Sequence, residues 1–91
     1  MSRMSGMSAS VTHDFASLAA GAEVGLDVTV PGAVLGDFAL CSLAVDVVDV
    51  TVTCNVTAAN TVTVLLANAT AGAVDLASTT VRVKVIPYDA I

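Results

Sequence analysis

The feature that most constrains this chain is an alternation of valine with threonine through its second half. It runs over residues 49–56, resumes at 61–64 and returns at 80–85. Because successive side chains of a strand point to opposite faces, the pattern places valines on one buried face and threonines or charged residues on the other. The sequence therefore predicts an all-β protein, either a compact antiparallel β-sandwich or a barrel-like domain.

Turn-forming residues divide the chain into short strands. Pro31 and Gly32 end one of them, because proline removes a ladder donor and glycine accepts turn dihedrals. The apolar run 38–43 is predicted to be buried on both faces, as an inner strand or a subunit contact. The alternation slips near Val47 and Val48, which indicates either one long strand or two strands joined by a bulge. The predicted strands are residues 11–15, 23–30, 38–43, 45–57, 61–67 and 78–86.

The domain organisation predicted for the 91 residues is one β-sandwich domain, 11–91, behind a flexible N-terminal arm, 1–10. The arm is rich in Met, Ser, Gly and Ala and has no periodicity, so it is either a disordered start or a segment that orders on a partner. Met1, Met4 and Met7, together with Arg3, are its candidate contacts, since methionine adapts to irregular apolar surfaces. Deleting residues 1–10 is expected to weaken partner binding and to leave the fold intact.

The apolar content predicts association between copies of the chain. Hydrophobic residues make up 56% of the sequence and the mean hydropathy is +0.90. The most apolar stretch, residues 38–48, contains Asp46 and is shorter than the roughly 20 residues of a membrane-spanning helix. Contact between subunits buries further apolar area at about 25 cal/mol per Å². We therefore expect a homo-oligomer with no membrane partner.

The net charge is −5, and Arg3, Arg82 and Lys84 are the only basic side chains of the sequence. Nucleic-acid binding requires clustered cations that neutralise phosphates, so no nucleic-acid partner is expected. Arg82 and Lys84 share the outer face of the last predicted strand. They are interpreted either as edge-strand cations that block aggregation or as partners of carboxylates such as Asp27 or Asp49, within or between subunits.

The two cysteines have two interpretations. No secretory signal precedes the domain, so the chain is expected to mature in a reducing cytoplasm, where Cys41 and Cys54 are free thiols packed as small hydrophobic side chains. A disulfide between them is the alternative.

No residue pattern predicts catalysis, a cofactor or a metal. His13 and Asp14 are neighbours on one strand and so point to opposite faces. Calcium requires six to eight converging oxygens, whereas the aspartates here are scattered, and zinc ligands at suitable spacing are missing. We expect a protein that is not an enzyme and has no cofactor.

Five stretches carry a resemblance to a class of virion protein. They are 14–21 (DFASLAAG), 32–37 (GAVLGD), 56–64 (VTAANTVTV), 66–75 (LANATAGAVD) and 81–87 (VRVKVIP). Over residues 14–87 the chain resembles the small β-sandwich modules of tailed-bacteriophage virions. By its length it is similar to stand-alone capsid decoration (cement) proteins. Asn68 and the Gly36-Asp37 turn are the characteristic positions, and the cysteine pair is a departure. From its residue type and its place in a loop, Asn68 is expected to hydrogen-bond the backbone of its own loop.

The resemblance implies a decoration protein that is made in the host bacterial cytoplasm and resides on the outer surface of the mature capsid. Such a protein stabilises contacts between major capsid proteins and is typically a trimer. Val34, Leu35 and Phe38 are, with the arm, the candidate capsid or subunit contacts. The alternative is a head- or tail-fibre module that engages a host surface receptor.

Overall fold

The computed structural model describes residues 6–89, and within them the regular structure is entirely β. The six strands are β1 (Met7–His13), β2 (Glu23–Thr29), β3 (Phe38–Leu43), β4 (Thr51–Ala58), β5 (Thr61–Ala67) and β6 (Thr79–Ile86).

The strands form two three-stranded antiparallel sheets that pack face to face. One sheet has the order β1-β6-β3, and the other has the order β2-β5-β4. At the sides of the sandwich, β3 contacts β4 and β1 contacts β2. The predicted antiparallel β-sandwich is therefore confirmed.

The predicted alternation builds the core. The inner faces of the central strands carry apolar side chains at every second position, and these are at most 2% exposed: Val62, Val64 and Leu66 of β5, and Val81, Val83 and Val85 of β6. Phe15 and Leu18, from the segment between β1 and β2, complete the same cluster. Burying each such side chain contributes about 1.5–3 kcal/mol before the entropy of ordering is set against it.

The first strand begins at Met7 and not at Val11 as predicted. Residues 7–10, assigned to the arm, pair with β6, with Met7 opposite Val85 and Ser10 opposite Arg82. The Met-Ser-Ala-Ser run is weakly apolar and has little strand preference of its own. It becomes a strand because the edge of β6 supplies its backbone hydrogen bonds in the folded protein. Residues 1–5 lie outside the described part of the chain.

The slipped alternation near residue 48 is a turn, so the prediction of strand over residues 45–50 is wrong. Val48 and Asp49 have φ of 56° and 75°, the left-handed region that ends an extended run. The Val48 N–H donates to Oδ1 of Asp46 at 3.0 Å, and the Val50 N–H donates to the Val47 carbonyl at 3.0 Å. β4 starts directly after this turn, at Thr51.

Two further expectations about strand environment are corrected. β3 is not an inner strand of its sheet, and in the single chain its outer face is open, with Phe38 and Leu40 50% and 57% exposed. The alternative, burial of this run in a subunit contact, stays a prediction. Arg82 and Lys84 do not protect an edge, because β6 is the central strand of its sheet. Both cations lie on the outer face of that strand.

Candidate functional site

A buried aspartate organises one end of the sandwich. Asp37 is only 4% exposed, although it lies in the turn before β3. Its Oδ2 accepts a hydrogen bond from the Val34 N–H at 3.0 Å, and its Oδ1 accepts one from the Tyr88 N–H at 3.1 Å. The Asp37 N–H in turn donates to the Val34 carbonyl at 3.1 Å. One carboxylate thus ties the turn before β3 to the segment after β6.

Around this aspartate lies an exposed group of large apolar side chains, which we call the apolar patch: Val34 (37% exposed), Leu35 (65%), Phe38 (50%), Leu40 (57%) and Tyr88 (55%). Phe38 and Leu40 alternate along β3 and so share its outer face. The Tyr88 ring lies over Gly36, where an added Cβ would be 3.8 Å from its Cδ2 atom. The patch is therefore assembled from β3, the preceding turn and the C-terminal segment.

Beside the apolar patch, the outer face of the β1-β6-β3 sheet carries a groove with a cavity volume of about 560 Å³. We call it the basic groove. In the sheet, Lys84 stands between Ser8 and Leu40, and Arg82 stands between Ser10 and Ser42. Two long cations are thus flanked by small hydroxyl side chains on an otherwise acidic protein. Leu40 belongs to both features and makes them continuous.

The two cysteines lie on different sheets, Cys41 on β3 and Cys54 on β4, and both are free thiols. They are half-buried, pack against the core and are joined by a side-chain hydrogen bond. Burial, followed by this hydrogen bond and by the charge of Cys41, raises the pKa of Cys54 to about 12. Such a thiol keeps its proton at neutral pH, so its described environment is that of a packing residue.

Asn68, directly after β5, is a buried polar side chain. Its Nδ2 donates to the carbonyls of Leu18 and Gly72 at 2.9 and 3.0 Å. Its Oδ1 accepts from the Thr70 N–H at 3.0 Å and from the Thr70 hydroxyl at 2.6 Å. The hydrogen bonding within its own loop is as predicted from the sequence, and the bonds join that loop to the segment before β2.

The His13 ring packs edge-on against the Phe15 ring, with centroids 4.5 Å apart and planes at 77°. Asp14 lies between them on the exposed side of the chain. Within residues 6–89, no three or more His, Cys, Asp and Glu side chains are grouped so that they would hold a metal ion. The same stretch contains no helix that would span a bilayer.

The predicted contact residues divide into three groups. Met1, Arg3 and Met4 lie outside the described residues. Met7 packs against the core as part of β1, so it is not an arm residue. Its sulfur lies so close to Gly32 that a Cβ added there would be only 2.8 Å from it. Val34, Leu35 and Phe38 come together in the apolar patch, and their contact role stays a prediction.

Sequence reasoning missed Leu40 and Tyr88 as residues of this surface, and it singled out Asp37 only as part of a turn. Leu40 carried a signal, since it alternates with Phe38, but the apolar run 38–43 was interpreted as buried. Asp37 and Tyr88 are 51 positions apart, and no local pattern connects them.

No family model matches the chain, and no match was found among curated proteins.

Proposed function

We propose that this chain is a non-enzymatic capsid decoration protein of a tailed-bacteriophage virion. In this proposal it binds the outer surface of the mature capsid as an oligomer, a trimer by resemblance, and stabilises contacts between major capsid proteins. The fold is of the kind that the resemblance implies, an antiparallel β-sandwich.

The observation that carries the proposal is the apolar patch. Large apolar side chains that stay exposed near one another are typical of an interaction surface. The buried Asp37 holds Val34 and Tyr88 in a fixed arrangement through backbone hydrogen bonds. A preorganised apolar surface binds with little ordering cost, which suits a protein that acts by contact alone.

The mechanism is mass action. A ligand that binds the mature lattice and not its disassembled parts stabilises the lattice. The stabilisation grows with the logarithm of the ratio of the free ligand concentration to the ligand's dissociation constant. An oligomer presents several copies of the apolar patch at once, so each contact after the first forms at a high effective concentration.

The first test is the copy number of the chain in purified virions, measured by quantitative mass spectrometry against the major capsid protein. A decoration protein that covers the lattice is expected at a ratio approaching one-to-one. A handful of copies per particle would contradict the proposal and favour the head- or tail-fibre module. Absence from the particle would contradict both.

A further inference from the structure

The basic groove holds Arg82 and Lys84, and none of its lining residues is acidic. Arg82 and Lys84 are exposed, and their cross-strand neighbours are Ser8, Ser10, Ser42 and Leu40. None of these four cross-strand neighbours carries a carboxylate. Glu23 and Asp27, the acidic residues of β2, lie on the other sheet. The central strand of one sheet thus presents two positive charges in a groove that has no acidic side chain in its lining.

The hydrogen-bonding chemistry of the groove selects an acceptor. The guanidinium and ammonium groups can only donate, whereas the serine hydroxyls can donate or accept. A carboxylate only accepts, so it complements the cations and the hydroxyls together. Sugar hydroxyls both donate and accept, and the only side chains in the groove that could accept from them are its three serines.

The spacing of the cations selects an extended ligand. Arg82 and Lys84 are two residues apart on one strand, which separates their Cα atoms by roughly 7 Å. Carboxylates at alternate positions of an extended peptide repeat at the same distance. The intervening positions of such a peptide turn their side chains away from the groove.

We propose that the basic groove binds an extended acidic segment of a protein partner, with two carboxylates at alternate positions paired to Arg82 and Lys84. The inference rests on the proposed function only for the identity of the protein that carries the segment, a major capsid protein. The carboxylate chemistry and the extended shape follow from the groove itself.

The test uses the purified full chain and two capped hexapeptides, one of alternating valine and glutamate and one in which glutamine replaces glutamate. Binding is followed by amide chemical-shift changes in NMR spectra. The variant is Arg82→Gln with Lys84→Gln. The matched control is Thr53→Glu with Ala59→Glu, which reaches the same net charge at exposed positions of the other sheet and its hairpin loop.

We expect the glutamate peptide to shift amides of β1, β3 and β6 and to bind about tenfold more tightly than the glutamine peptide, as charge-assisted hydrogen bonds require. The Arg82→Gln, Lys84→Gln variant should lose this difference, and the matched control should keep it. Affinity should fall as sodium chloride is raised, because the screening length is only about 10 Å at 0.1 M salt.

Equal binding of the two peptides, equal loss in the variant and the control, or shifts confined to other surfaces would overturn the proposal. D-glucuronate is the third probe. If it binds as tightly as the glutamate peptide, the groove is a site for an acidic sugar, and the proposal of an acidic protein segment is overturned. Every arm uses the isolated chain, so the result is independent of the virion copy number. If the chain binds the glutamate peptide in its groove but is absent from capsids, only the proposed function is refuted.

Discussion

Asn68 shows how much one buried amide can determine in a small β-protein. It is 1% exposed, and its side chain bonds to carbonyl oxygens of two separate segments. The sequence indicated its local role, because asparagine commonly bonds the backbone of its own loop. The bond to Leu18, 50 positions away, was beyond local reasoning, since only the assembled fold brings that carbonyl to the amide.

We predict that Asn68→Asp destabilises the protein by about 3 kcal/mol or more at neutral pH, because a buried carboxylate would face carbonyl oxygens that now accept hydrogen bonds. Protonating the introduced carboxyl restores one hydrogen-bond donor. The loss in the free energy of unfolding should therefore become smaller as the pH falls to about 4, close to the ordinary aspartate pKa of about 3.9. Urea unfolding at both pH values measures this. The control is Asn55→Asp at an exposed position of β4, expected to change the free energy of unfolding by under about 0.5 kcal/mol. Equal effects of the two substitutions would show that the amide is not a structural centre.

Cys54 gives a second prediction for a single residue. Burial and the neighbouring Cys41 raise its pKa from the ordinary 9.0 to about 12, so between these values the folded state keeps a proton that the unfolded state releases. Stability from this group is therefore fully present below pH 9.0 and is lost as the pH rises toward 12. Urea unfolding near pH 8 and near pH 10.5, roughly either side of the unfolded pKa, should show a larger loss in the wild type than in Cys54→Val. The same loss in both proteins would assign the effect to other groups.

At the scale of the element, β1 illustrates why a strand with a weak sequence pattern was misplaced. Val11–His13 lies in the predicted strand, whereas Met7–Ser10 has no clear alternation of large apolar and polar residues. Its place is fixed by pairing with β6, whose alternating valines do predict a strand. The turn before β4 illustrates the reverse case. The slipped alternation at Val48 was visible in the sequence, but whether it meant a bulge or a turn depended on backbone dihedrals that valine rarely adopts.

Truncation of the N-terminus separates the arm from the strand. Deleting residues 1–10 removes the partners of β6 from Arg82 to Val85 and the packing of Met7 and Ala9, so we expect a loss of about 2–4 kcal/mol. Deleting residues 1–5 removes no residue of β1 and should cost under about 0.5 kcal/mol. Urea denaturation of the two truncated chains and the full chain measures both values. Equal stability of all three would mean that Met7–Ser10 adds nothing to the sheet, and the original expectation for the arm would then hold.

For the whole molecule, the fold was readable from the sequence because the same alternation fills both central strands. The outer surfaces were not readable in this way. Whether an apolar residue such as Leu40 is covered depends on what packs over its sheet, and strand periodicity contains no information on that. The apolar patch also draws its residues from both sides of a buried aspartate whose partners are distant in sequence.

Oligomerisation is the prediction that belongs to this scale. If the apolar patch is a subunit contact, Phe38→Ser with Leu40→Ser should shift the protein toward monomer in sedimentation velocity. Each monomer should stay folded, since both side chains are half exposed or more in the single chain. The matched control is Val48→Asn, which removes a 53% exposed apolar side chain from a turn where φ is positive. Asparagine tolerates that dihedral, so the control should be at least as stable as the wild type and should keep its oligomeric state.

A stable subunit interface buries about 1,000 Å² or more, and loss of two central apolar side chains is sufficient to dissociate one near that size. An unchanged sedimentation coefficient in the Phe38→Ser, Leu40→Ser variant would exclude the patch from the subunit contact and leave it to the capsid alone.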